Sequence, residues 1–238
     1  NSFVPGKFGK ITLPNLEIQE IPLNLFDVIL MTITFYVFFF KRKDFLNFAF
    51  RIVKNKYNSK LIHISTDCVF SGEKGFYSEN DKPDSSDLYG LSKLLGEING
   101  KNALTIRTSI IGHSINSNHG LIDWFLKQKV KVKGFRKAIF SGLTTLELSK
   151  VILKYILNND SLNGIFHISN VPISKFDLLN LVSRIYKKSI IISPDDSLIV
   201  DRSLNSKKFI KQTGYIPPSW EKMIEEMYFQ NIYENSKK

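Results

Sequence analysis

A tyrosine and a lysine four residues apart, Tyr89 and Lys93, fall in a stretch of helical character, DLYGLSKLLGEI (Asp87–Ile98). On a helix that spacing puts the phenol and the ammonium on one face, a turn apart. A nearby ammonium favours the phenolate and lowers a tyrosine pKa from about 10, so such a pair can give and take a proton at neutral pH. The hydroxyls of Ser65 and Thr66 come where the apolar run LIHIS (Leu61–Ser65) ends. Strand ends are where open α/β sheets present their ligands. Strand-end hydroxyl, tyrosine and lysine together make a proton-donating site for a carbonyl or an alkoxide.

The elements that must position these groups read as alternating strands and helices. LIHIS is a short strand, Asp87–Ile98 a helix, and ALTIRTSIIG (Ala103–Gly112) a second strand ending on glycine. That alternation predicts a parallel sheet covered on both faces. Further on, Thr144-Thr145-Leu146-Glu147 is a capping box ahead of an apolar stripe through Leu157. Ser174-Lys175-Phe176-Asp177 is a looser version ahead of Leu178–Tyr186. Gly164–Ser169 and Ser189–Ser193 read as strands, and a last helix runs from near Ser219 to about Tyr233.

Composition narrows the class. With 238 residues, 43% hydrophobic and 23% charged, the chain has the balance of a soluble globular protein rather than a disordered, collagen-like or polytopic membrane one. The single cysteine, Cys68, excludes a disulfide framework and a multi-cysteine metal site, and makes a reducing, cytoplasmic setting the default. The formal charge of +11 points to anionic partners: nucleic acid, anionic lipid or phosphorylated small molecules. Six of the basic residues lie in KQKVKVKGFRK (Lys127–Lys137), where alternation from Lys127 to Lys133 would place four lysines on one side of an extended segment. No helix-turn-helix, zinc-finger or aromatic RNA-binding pattern accompanies them, so nucleic acid is not expected. His63 and His167 alternate with apolar residues and read as packed or surface histidines; His113 and His119 share a loop without a third ligand, so no metal site is expected. Cys68 has no adjacent base and reads as packing or as a wall of the substrate pocket.

The stretch STDCVFSG, the Gly75–Glu79 loop, Pro83, YGLSKLLGE and IRTSIIG, continued by TTLELSKVI, GIFHIS, DRSLNS and TGYIPPSW, resembles the extended short-chain dehydrogenase/reductases. Within them it is similar to the dTDP-4-dehydrorhamnose reductase branch, over about residues 61–230. The resemblance implies an α/β fold: a Rossmann-like parallel sheet, N-terminally truncated, with a smaller C-terminal α/β substrate-binding region. It divides the chain into an incomplete remnant of the cofactor-binding half (1–59), a Rossmann-like catalytic part (60–140) and an interleaved substrate-binding region (141–238). It implies that Tyr89 protonates the C4 carbonyl oxygen of a nucleotide-activated deoxysugar. Lys93 would hold the nicotinamide ribose and depress the Tyr89 pKa, and Thr66 would hydrogen-bond the reacting oxygen. Tyr89, Lys93 and Ser65 would contact the cofactor, NADPH or NADH. Asp67, Cys68, Ser109, Arg202 and Lys133 would contact substrate, Arg202 being the better single candidate for a phosphate. For each lysine of the basic run a solvated face is an equal alternative. The partners implied are a nucleotide-diphosphate deoxysugar and a second copy of the chain, with neither nucleic acid nor a membrane, in surface-polysaccharide synthesis. A 4-epimerase or dehydratase would use the same tyrosine and lysine, and a sugar-nucleotide-binding remnant without cofactor is the other alternative.

Three departures from the family pattern qualify this. No strand leads into a glycine-rich phosphate loop; Pro5-Gly6-Lys7-Phe8-Gly9 lacks the preceding strand and following helix that motif needs. The first 25 residues read as an extended leader, and the strand Phe26–Leu30 runs into MTITFYVFFF. The resulting 13 charge-free residues, Val28–Phe40, fall short of the roughly 20 a membrane span needs, and residues from about Met31 read as a frame-shifted or degenerated stretch. Ile110 stands where rhamnose reductases often carry an aromatic, which widens the substrate class to nucleotide 4-keto-sugars.

Overall fold

The computed structural model describes residues 60–114, 120–157 and 159–236. The expectations for residues 1–59, and for His119, lie outside the described residues. In chain order the first elements are β1 (Leu61–Thr66), a short 3-10 turn (Asp67–Val69), α1 (Leu88–Leu95), β2 (Ala103–Thr108), β3 (Ile110–Ile111), α2 (Leu121–Lys127), β4 (Lys131–Phe135) and β5 (Ala138–Phe140). After them come β6 (Leu143–Thr144), α3 (Thr145–Val151) running into a π-helical turn (Ile152–Ile156), β7 (Gly164–His167), β8 (Ile173–Ser174), α4 (Lys175–Ile185), β9 (Ile191–Asp195), β10 (Val200–Asp201), α5 (Lys207–Thr213) and α6 (Trp220–Asn235). Among the described residues no helix is long and apolar enough to cross a membrane.

The expected parallel sheet is present in the order β1-β2-β7, with Ser65 beside Arg107 and Arg107 beside His167. Because side chains alternate across a strand, this register sorts the residues into two unlike faces. Ile62, Leu104, Ile106 and Phe166 are buried on one face in a continuous core with Ile122, Phe125, Val151, Leu178, Phe209 and Met223. Each such side chain contributes about 1.5–3 kcal/mol relative to exposure. The other face carries His63, Ser65, Thr105, Arg107 and His167, all buried.

Both capping expectations hold. Thr144 Oγ1 accepts from the Glu147 amide at 3.2 Å, and Ser174 Oγ from the Asp177 amide at 3.0 Å. Ser219 caps α6 in the same way by accepting from Lys222 N at 3.2 Å. The expected strand Ala103–Gly112 is instead broken at Ser109. Its carbonyl accepts from Leu143 N at 2.9 Å, so β3 leaves β2 and pairs with β6. A Cβ on Gly142 would lie 2.1 Å from that oxygen, which is why glycine stands there. The one-sided basic segment is shorter than expected. Lys127 ends α2, and only Lys131 and Lys133 alternate with buried residues along β4. The Ser189–Ser193 strand is displaced to Ile191–Asp195, where it pairs in parallel with β4.

Candidate active site

Thr66 ends β1, and its hydroxyl accepts from the Cys68 amide at 3.2 Å, folding the chain into the turn that carries Asp67 and Cys68. Asp87 caps α1 by accepting from Gly90 N at 2.7 Å. The absence of a side chain at Gly90 lets the helix press against that turn, since a Cβ there would lie 2.1 Å from the Cys68 carbonyl oxygen. This close approach brings Tyr89 and Lys93 to the end of β1. Ser65, Thr66, Asp67, Cys68, Tyr89, Lys93 and Ser109 all line one cavity of about 420 Å³.

The Tyr89 phenol is half exposed and lines the cavity together with Thr66. Burial pushes its pKa up, opposed by the Thr66 hydroxyl and reinforced by the nearby Cys68, Asp67 and Asp87. This direction corrects the expected depression by Lys93. The ammonium is turned to the strand, donating to the Ile64 carbonyl at 3.0 Å, and burial lowers its own pKa. Tyr89 is therefore held in its protonated form, ready to donate.

Asp67 is buried, accepting from Thr66 Oγ1 at 3.1 Å and Cys68 Sγ at 3.5 Å. Burial raises its pKa and that of the Cys68 thiol, which keeps the thiol from acting as a nucleophile. Arg202 stands behind this wall. Its contacts to the Ser71 carbonyl (3.3 Å) and Asp87 Oδ2 (3.4 Å) are long, and a further contact at 3.3 Å goes to the weakly accepting Cys68 Sγ, so its guanidinium is loosely held near the site.

Ser65 sits at the cavity wall, and its hydroxyl donates to Glu97 Oε1 at 2.7 Å, inside the sheet's polar face. One assignment changes. Lys133 lies outside the cavity lining, 72% exposed and paired with Asp195 at 2.8 Å, because β4 pairs with β9 in a separate two-stranded sheet. His63 and His167 are buried as packed histidines. His113 bonds Asp123 Oδ1 at 3.0 Å and Tyr186 Oη at 2.8 Å. Among the described residues no group of three or more His, Cys, Asp or Glu could hold a metal ion.

The residues missed from the sequence form the support beneath the cavity. Glu97 receives Arg107 Nη2 at 2.7 Å and Nε at 2.8 Å in addition to Ser65. Arg107 also approaches His167 Nε2 at 3.4 Å and lies over the Phe70 ring, 5.2 Å from its centroid. His167 bonds the Tyr77 carbonyl through Nδ1 at 3.0 Å, while its amide donates to Glu79 Oε1 at 2.8 Å. The available signal was an arginine in the middle of an apolar strand, which requires a buried acidic partner.

A parallel α/β sheet with a hydroxyl, a tyrosine and a lysine converging at the carboxyl end of its first described strand defines a Rossmann-like protein of the short-chain dehydrogenase/reductase type. The chain belongs to the RmlD substrate binding domain family, whose model matches residues 53–232. It is 35% identical over 122 residues to the spore coat polysaccharide biosynthesis protein SpsK of Bacillus subtilis, a match covering 47% of this chain and 41% of that one. A hypothetical dTDP-4-dehydrorhamnose reductase from Sulfolobus tokodaii superposes with a TM-score of 0.61 at 29% identity, covering 74% of this chain and 67% of that one. The dTDP-4-dehydrorhamnose reductase of Bacillus anthracis, solved with NADP, shares the fold with a TM-score of 0.63 at 24% identity, over 75% and 68% of the two chains.

Proposed function

We propose that the cavity is the carbonyl-reducing site of a nucleotide-sugar reductase acting on the 4-keto group of a nucleotide-activated deoxysugar in polysaccharide synthesis. The observation that carries this is the convergence of Thr66, Tyr89 and Lys93 on one cavity. The Sulfolobus and Bacillus relatives, reductases of such a sugar by name, support the substrate class. A reduced nicotinamide, when bound, supplies the hydride. The donor set fits the nicotinamide-ribose end of that cofactor, with Lys93 and Tyr89 to hold it. Among the described residues there is no glycine-rich strand-loop-helix unit for a pyrophosphate.

The chain's own contribution is a proton and an orientation. Tyr89 donates its phenolic proton to the carbonyl oxygen as negative charge develops there, and Thr66 positions that oxygen with its hydroxyl. Lys93, tethered to Ile64, offers a positive charge on the same face of the cavity. Arg202, loosely held and near the cavity, is the group best placed to turn toward a diphosphate.

The test is a pair of measurements. Calorimetric titration with NADPH and separately with a deoxythymidine diphosphate sugar should show both binding. Tyr89→Phe should lower turnover by about 10²–10⁴-fold while leaving sugar binding in place. Turnover retained in Tyr89→Phe removes the phenol from this role, and sugar binding without NADPH binding turns the reading to a sugar-nucleotide-binding protein.

A further inference from the structure

Away from the cavity, strand pairing joins two stretches of sequence that hold no acid. None occurs between Asp123 and Glu147, nor between Asp177 and Asp195. β4 and β9 bring them together in parallel register, with Lys131 beside Ile191, and Ile191 N donates to the Val130 carbonyl at 3.1 Å. The Lys188 ammonium donates to the Leu126 carbonyl at 2.7 Å, which ties the turn after α4 to the end of α2. Lys127, Lys129, Lys131 and Lys187 therefore stand exposed around one end of this small sheet. Among the described residues no carboxylate pairs with any of the four, whereas Lys133, Arg136 and Arg184 at the margins are paired with Asp195, Asp196 and Glu221. Between the lysines lie two aliphatic side chains turned to solvent, Val130 at 74% and Ile191 at 62% exposure.

We propose that this surface docks on an anionic lipid bilayer. The lysines meet the phosphate headgroups, an attraction that acts within a Debye length, about 10 Å at 0.1 M salt. Val130 and Ile191 enter the boundary between headgroups and acyl chains. Charge sets the sign of the partner, and a second copy of the same surface would place lysine against lysine. The aliphatic pair favours lipid over nucleic acid, because a phosphate backbone meets the lysines but covers neither Val130 nor Ile191. The contact is peripheral and requires no spanning helix; the described residues hold none long and apolar enough. It departs from the expectation of no membrane partner that the family resemblance implied. The surface lies outside the cavity lining and does not rest on the reductase reading.

Flotation of the full chain with vesicles tests this, using phosphatidylcholine alone and phosphatidylcholine mixed with phosphatidylglycerol in equal parts. The chain should float with the anionic vesicles only, and its affinity should fall at least about tenfold as salt rises from about 0.1 to about 0.5 M. Lys129→Ala, Lys131→Ala and Lys187→Asn combined should weaken that binding about a hundredfold. Asparagine suits the left-handed backbone at Lys187, where φ is 52°. If the combined variant does not fold, Lys129→Gln alone, expected to cost about fivefold, decides. Val130→Thr with Ile191→Thr keeps the β-branched shape and should weaken vesicle binding about tenfold, leaving any affinity for a DNA duplex as it was. Absent or salt-insensitive binding to anionic vesicles, equal affinity for both vesicle types, or affinity unchanged in either variant overturns the docking surface. DNA binding tighter than vesicle binding and indifferent to the threonine pair makes it a nucleic-acid surface and overturns the proposal as well.

Discussion

The two faces of the three-stranded sheet are built from opposite chemistry although they share every strand. On one, Ile62, Leu104, Ile106 and Phe166 join the continuous apolar core. On the other, His63, Ser65, Thr105, Arg107 and His167 are as deeply buried, yet they are held by directed bonds, chiefly the Glu97–Arg107 pair with 5% and 3% side-chain exposure. Apolar burial is strong and non-directional, whereas a buried ion pair gains little net stability over apolar residues of the same shape. What directed bonds add is orientation. Glu97 ties β1 to β2 one residue short of Thr66, and His167 ties β7 to the Tyr77–Glu79 loop. The apolar face holds the domain together; the polar face fixes where its strand ends point.

The largest effect that would break this contrast comes from Glu97. Glu97→Ala leaves the Arg107 charge buried without its partner and should cost about 3–5 kcal/mol in urea unfolding. The double change Glu97→Leu with Arg107→Met should recover most of that stability while turnover stays impaired, because packing returns and strand-end orientation does not. A double variant with full turnover would show that the polar face does not position the site.

A smaller effect appears in acid. Burial lowers the pKa of His63 to about 4 and of His167 to about 3, from 6.5. A depressed histidine stabilises the fold above its unfolded pKa and loses that contribution as the pH falls through the gap, at up to about 1.4 kcal/mol per pH unit for each group. His63→Leu also removes the buried Nε2 that has no hydrogen-bond partner. The variant should therefore gain on the wild type in urea midpoint as the pH drops from 6.5 toward 4, and a constant difference across that range would contradict the buried neutral histidine. The smallest effect belongs to Lys133. Exposed and paired with Asp195 outside the cavity, its replacement in Lys133→Ala should change stability by less than about 0.5 kcal/mol and leave KM for the sugar nucleotide unaltered.

The amino-acid sequence determined the alternating elements, the capped helices and the grouping of Thr66, Tyr89 and Lys93, because strand ends, caps and the four-residue helical step are local in the chain. Cys68 was also readable as a wall residue from its place beside that strand end, and Ser109 from the family resemblance. Only the tertiary structure decided the rest. Lys133 lies away from the cavity and the Ser65 hydroxyl turns to Glu97 because strand pairing and a distant carboxylate, neither encoded nearby, set where their side chains go. The Tyr89 pKa moved up rather than down because burial is the largest influence on the phenol, while Lys93 found a backbone carbonyl on a strand 29 residues away. Glu97 and Arg107 meet across a turn and a strand register. The sequence marked one as a charge in an apolar run, and the fold supplied the other.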